Sequence, residues 1–147
     1  SYVSQLVRKV FEDKPVSALM SRDPITVGPE MTLTDFANQI VLRHRVSFVP
    51  VVEGNVLLGH IDQSVLEGIE RQNWGNTRVG DVFFGLDDSV MIPPELPVPY
   101  LLRIIADTGR RKFLVVLDHH LLGVITLADL TRFLNYSDLT EPQQKHV

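Results

Sequence analysis

Apolar and polar positions alternate along this chain in two rhythms, and the order of those rhythms occurs twice. Val3, Leu6, Val7, Val10 and Phe11 recur at helical spacing, which predicts an amphipathic helix over residues 1–13. Short apolar runs at 25–27 and 90–92 read as strands, each leading through a Pro-Glu turn into a helical pattern. The first of these helices opens at Thr32-Leu33-Thr34-Asp35, a capping-box-like start, and places Phe36, Ala37, Ile40 and Val41 on one face. The second takes Pro99 at an early helical position, followed by Leu101, Leu102, Ile105 and Ala106. Two strand pairs come next, 48–52 with 56–61 across Glu53-Gly54-Asn55, and 113–117 with 121–125 across Asp118-His119-His120. A second helix is expected to close each unit, near 64–70 and 128–134.

The duplication extends to the residues themselves. Val16-Ser17-Ala18-Leu19-Met20 returns as Val79-Gly80-Asp81-Val82-Phe83, and Pro29-Glu30-Met31 returns as Pro94-Glu95-Leu96. Phe48-Val49-Pro50-Val51-Val52 returns as Phe113-Leu114-Val115-Val116-Leu117, and Leu57-Leu58-Gly59-His60-Ile61 as Leu121-Leu122-Gly123-Val124-Ile125. Four blocks in one order mark an internal repeat. The boundaries read as a connecting helix at 1–15, a first copy at 16–70, a linker at 71–78, a second copy at 79–136 and a polar tail at 137–147. Trp74 in the linker is expected to serve packing.

Composition narrows the function classes. With 147 residues, 44% hydrophobic and 22% charged, the chain is an ordinary globular one that folds without staples. It has no cysteine, so disulfides and thiolate metal sites are excluded. A formal net charge of −4 and a pI near 5.7 argue against a general nucleic-acid binder. No apolar run approaches the roughly 20 residues that span a bilayer. The chain opens on Ser1 without a signal peptide and reads as a piece of something longer.

Gly123-Val124-Ile125-Thr126-Leu127-Ala128-Asp129-Leu130 is the most informative segment. Its glycine admits a close approach by a backbone or a ligand, and the strand ends where a helix opens. Free N–H groups there attract phosphate, and Asp129 could accept from ribose hydroxyls. Thr126-x-x-Asp129 equally reads as a helix capping box that needs no ligand. The two readings are compatible.

Duplicated β-α-β-β-α units whose strand ends in Gly-x-Ile-Thr-x-x-Asp-Leu resemble CBS domains, which pair into a Bateman module. The resemblance runs from about Val16 to Leu134. It implies an α/β (α+β) fold in which two repeats pack about a pseudo-twofold axis, preceded here by the amphipathic N-terminal helix. It also implies two clefts between the copies, where adenine nucleotides (AMP, ADP or ATP) bind, and assembly into a homodimer. Carried onto this chain, Thr126 and Asp129 match phosphate- and ribose-contacting positions. Val90 and Ile92 match the strand that flanks an adenine ring, and Lys112 matches a basic phosphate contact, with Arg110 and Arg111 as neighbours. The first copy departs from the pattern: Asp62 stands for the threonine and Val65 for the aspartate. An ionised Asp62 repels phosphate but still caps a helix, so at most one conventional site is expected.

A narrower resemblance lies in Ser1-Tyr2, Gln5-Leu6, the stretch from Val16 to Pro24, Leu42-Arg43-His44-Arg45 and the linker from Trp74 to Val82. These are similar to the C-terminal CBS pair of site-2-type intramembrane zinc metalloproteases. That implies a cytoplasmic module of an integral membrane protein, joined to an upstream protease domain. The catalytic His-Glu-x-x-His is absent from this chain. His44, His60, His119, His120 and His146 form no i, i+4 pair about a glutamate, and no phosphate loop or nucleophile elbow occurs. The expectation is a non-catalytic regulatory module with no metal site. Its alternative is a ligand-free dimerisation or interaction module.

Overall fold

The structure, a computed structural model, describes residues 2–140. Helix α1 (Tyr2–Phe11) realises the first helical pattern, with Phe11 fully buried and Val7 and Val10 against the same core. A 3-10 turn at Val16–Ala18 leads into the short strand β1 (Ser21–Arg22). Helix α2 follows the expected cap, since the Asp35 amide donates to the Thr32 hydroxyl at 3.2 Å. It begins as the α-helical turn Leu33–Asp35 and widens into the π-helical segment Phe36–Leu42, burying Leu33, Phe36, Ala37 and Ile40. Strands β2 (Phe48–Glu53) and β3 (Val56–Asp62) form the first hairpin. The linker folds as a 3-10 helix at Arg71–Asn76, where the Trp74 indole N–H donates to the Ile69 carbonyl at 2.9 Å.

The second copy begins with α3 (Val79–Val82), β4 (Phe84–Gly85) and β5 (Met91–Ile92). Helix α4 (Val98–Thr108) carries Pro99 in its first turn and ends at Gly109, whose φ of 73° supplies the left-handed stop. Strands β6 (Lys112–Leu117) and β7 (His120–Thr126) form the second hairpin, and α5 (Leu127–Thr140) closes the fold.

Three details differ from expectation. Both hairpin turns are two residues long, because Glu53 and His120 extend their strands. Gly54 and Asn55 have φ of 55° and 69°, and Asp118 and His119 have 49° and 65°, the left-handed pairs whose twist matches the strands. The run at 25–27 contributes only a parallel bridge from Val27 to Val51, and 90–92 divides into a 3-10 turn (Asp88–Val90) and β5. The closing helix of the first copy shrinks to the 3-10 turn Gln63–Leu66, whereas α5 runs on past residue 134 to Thr140. Ser64 and Gly68 are weaker helix formers than the Ala128 and Arg132 of α5. Residues 141–147 of the expected tail lie outside the described residues.

The strands form two sheets, ordered β1-β7-β6-β5 and β2-β3-β4, and each borrows an edge from the other copy. Ser21 and Arg22 of β1 pair with Val124 and Gly123, while Phe84 and Gly85 of β4 pair with His60 and Gly59. The same reciprocity recurs in the bridges Pro15 to Pro97 and Thr32 to Arg78. The two motif glycines are therefore spent on backbone. A Cβ on Gly123 would lie 2.5 Å from the Ser21 carbonyl oxygen, and one on Gly59 only 1.9 Å from that of Phe84.

Packing follows the exchange. Phe11, Val16 and Met20 join Ile92, Leu101, Phe113, Ile125 and Leu130 in one core, while Val79 joins Leu33, Phe36, Val49 and Ile61 in the other. A third cluster, Phe48, Leu57 and Leu114, seals the seam between the lobes. Fully burying a side chain of this size stabilises by about 1.5–3 kcal/mol, so the seam is an integral part of the core.

Candidate functional site

Strand β7 hands over to α5 at Thr126, and the first turn of the helix is closed by a reciprocal cap. The Thr126 amide donates to Asp129 Oδ2 at 2.9 Å, and the Asp129 amide donates to Thr126 Oγ1 at 3.2 Å. The Leu127 amide donates to the Arg111 carbonyl at 2.8 Å. Ala128 is left as the first-turn residue whose amide has no capping partner among the described residues. Arg132, one turn on, donates from Nη1 to Asp129 Oδ1 at 3.2 Å. Sequence spacing allowed a cap, a ligand site or both, and the cap is formed.

Beside this cap opens a cleft of about 590 Å³, lined by Ser47, Arg111, Lys112, Thr126, Leu127, Ala128, Thr131, Arg132 and Asn135. Its charged lining residues are three cations, and the helix start adds the positive end of a dipole. The volume lies within the usual range for small-ligand sites. Chemically, the cleft suits an anion.

Lys112 is brought to this cleft, but its ammonium is engaged. It donates to Ser47 Oγ at 2.9 Å and to Asp62 Oδ2 at 3.2 Å, both from the first copy. Asp62 also caps its own 3-10 turn, with Oδ1 accepting from the Ser64 amide at 2.9 Å. Burial works against its charge, yet the Ser64 amide and Lys112 outweigh that and hold the carboxyl below the ordinary aspartate value.

Val90 and Ile92 are not brought to Thr126. Val90 is buried, and it lines a narrow groove of about 260 Å³ on the other side of Lys112, with Phe48, His60, Asp62, Gly109, Arg110 and Arg111. Ile92 packs in the core of the second lobe. The physical reason is strand order: β6 lies between β5 and β7, while β4 pairs with β3 and the segment from Phe84 to Asp88 shares a groove with His60 and Asp62. A larger groove of about 1070 Å³ continues there, lined by His60, Asp62, Ser64, Phe84, Asp87, Asp88, Arg110 and His119 among others.

Ser47, Arg132 and Asn135 were missed from the sequence. Ser47 precedes β2 just as Arg111 precedes β6, so the repeat itself held that signal, and Arg132 stands at the i+3 position from Asp129. Among the described residues no three His, Asp or Glu side chains are grouped to hold a metal ion. His44, His119 and His120 are exposed, and His120 Nδ1 lies 2.7 Å from the Asp118 carbonyl oxygen. His146 lies outside the described residues.

Residues 16–64 and 79–136 match the model of the CBS domain. The chain belongs to the CBS-domain family. Such domains are generally regulatory and non-catalytic, and this one is a tandem CBS pair. It is 31% identical to an inosine-5'-monophosphate dehydrogenase of Bifidobacterium longum over 127 residues, 85% of this chain and 23% of the relative. It is 26% identical to a zinc metalloprotease of Methanocaldococcus jannaschii over 135 residues, 92% of this chain and 36% of that one. Both relatives are thus far longer than the CBS pair they share with it. Among solved structures it resembles the CBS domain of a bacterial CNNM/CorC family Mg2+ transporter in complex with ATP. There the TM-score is 0.73 and the identity 20%, covering 90% of this chain and 94% of that one. Among the described residues no helix is long and apolar enough to cross a membrane.

Proposed function

We propose that this CBS pair is a regulatory module that binds an adenine nucleotide in the cleft beside the start of α5. The observation that carries the reading is the clustering of Arg111, Lys112 and Arg132 around a helix start of suitable volume. Arg111 and the Ala128 amide would hold phosphate. Thr126 and Asp129 would face the ribose from the rim, and Ser47 would close the cleft from the first lobe. A similar CBS pair is known in complex with ATP, which supports the ligand class. Of the positions carried over from the family, Thr126, Asp129 and Lys112 belong to this proposal. Val90 faces the neighbouring groove, where Asp62 discourages phosphate.

Calorimetric titration with AMP, ADP and ATP tests the reading. Measurable heat with at least one is expected, with weaker binding by Asp129→Ala; no heat with any of the three removes the proposal. The rival, a ligand-free interaction module that dimerises its parent, is favoured by one observation. Thr126, Asp129 and Lys112 all have internal partners already. On that reading the melting temperature ignores nucleotides, whereas a binder is stabilised by mass action.

We also propose that the parent is a membrane-embedded zinc metalloprotease and that the module sits on its cytoplasmic side. Similarity over 92% of the chain to the archaeal metalloprotease supports this, and α1 would be the connection. An upstream coding sequence with His-Glu-x-x-His among apolar spans is expected; a different upstream domain rejects it.

A further inference from the structure

We propose that Asp62 is a tethered anion that competes with ligand phosphate for Lys112, and so limits how many phosphates the Thr126 cleft accepts. The inference rests on the nucleotide reading of that cleft and assigns its specificity. Lys112 stands in the wall between two grooves, lining both the cleft of Thr126 and the narrow groove that contains Asp62. Its ammonium is held on the Asp62 side, 3.2 Å from Oδ2, with Ser47 as the second acceptor at 2.9 Å.

The two copies are not equivalent here. In the hairpin registers Phe48 takes the position of Lys112, Ser47 that of Arg111 and Asp62 that of Thr126, so the first copy lacks both cations and supplies a carboxylate in place of the threonine. The bond from Lys112 to Asp62 therefore joins non-equivalent positions of the two copies. Arg132 is committed to Asp129 in the same way, leaving Arg111 as the lining cation without an ion-pair partner among the described residues. A ligand with one phosphate is served by Arg111 and the Ala128 amide. Each further phosphate needs Lys112, which must first leave Asp62 and then hold an anion beside that carboxylate.

Removing the carboxylate while keeping the cap isolates this effect. Asp62→Asn and Asp62→Thr both retain a side-chain oxygen for the Ser64 amide, and threonine is the residue of the second copy. Calorimetry on the purified chain, with AMP, ATP and inorganic pyrophosphate as probes, reads the outcome. Both variants are expected to bind ATP and pyrophosphate about fivefold more tightly than wild type, with a smaller gain for AMP. Adding Lys112→Ala should abolish the gain, which a general loosening of the structure would not do.

If wild type binds AMP but neither variant binds any probe more tightly, the competition is refuted and the nucleotide reading stands. A gain that survives Lys112→Ala refutes it as well. If no variant binds a nucleotide, the nucleotide reading fails and pyrophosphate decides: tighter binding without the carboxylate upholds the competition, and equal binding overturns it.

Discussion

His60 lies in the seam between the rings of Phe48 and Phe84, whose centroids are 4.7 and 5.2 Å from its own, and its buried Nδ1 has no hydrogen-bond partner among the described residues. Burial holds its pKa below the usual 6.5, against the pull of Asp62 and Asp87 and with help from Arg110. With a lowered folded-state value, the unfolded chain takes up the proton first as pH falls. The stability tied to His60 is therefore complete above 6.5 and drains away as pH drops through the lower folded value. His60→Phe keeps an aromatic ring in the slot and removes the titration. Urea melts at pH 7 and pH 5 should show a smaller loss for the variant than for wild type; equal losses reject the assignment. Residues differ in how far the sequence exposes such roles. The Thr126 and Asp129 cap was readable because its partners are three positions apart, and Asp62 was readable as a cap because its partner, the Ser64 amide, is only two positions away. Its bond to Lys112 was not, since it joins residues far apart in the chain and crosses from one copy to the other.

Among the elements, the hairpins show most directly how side chains and backbone negotiate. The first turn places Gly54 and Asn55 in left-handed conformations that both residue types tolerate, whereas the second asks the same of Asp118 and His119. A histidine with a Cβ bears a steric cost there that glycine avoids. His119→Gly should therefore raise stability by about 0.5–1 kcal/mol, seen as a higher urea midpoint with an unchanged m-value. An unchanged or lower midpoint contradicts this reading of the turn. Hairpins and the capped helices α2 and α4 were legible because turn glycines, prolines and hydrophobic periodicity act over a few residues. The closing helix of the first copy was not, because the repeat suggested a symmetry that local chemistry does not honour. Asp62 starts a turn well, but Ser64 and Gly68 do not carry it forward, where α5 has Ala128 and Arg132.

At the scale of the whole molecule, the units of sequence and the units of packing are offset. The first copy as read from the repeat, 16–70, lacks Val79 and β4, which complete its core and its sheet. A fragment covering 24–86 contains them and omits Val16 and Met20, which belong to the other lobe. The 24–86 peptide should give a dispersed amide spectrum by NMR, while 16–70 should give a collapsed one; the reverse result, or equal dispersion, refutes the offset. The duplication announced two lobes, yet similarity between copies records common descent and is silent on which segment touches which. The exchange has a mechanical meaning. Chain entering through α1 runs into β1, which is stitched to Gly123 and Val124, two residues short of Thr126. A tug on the N-terminus thus bypasses the lobe that follows it and arrives at the doorway of the distant cleft, so the molecule is strung like a lever whose handle and working tip belong to different copies.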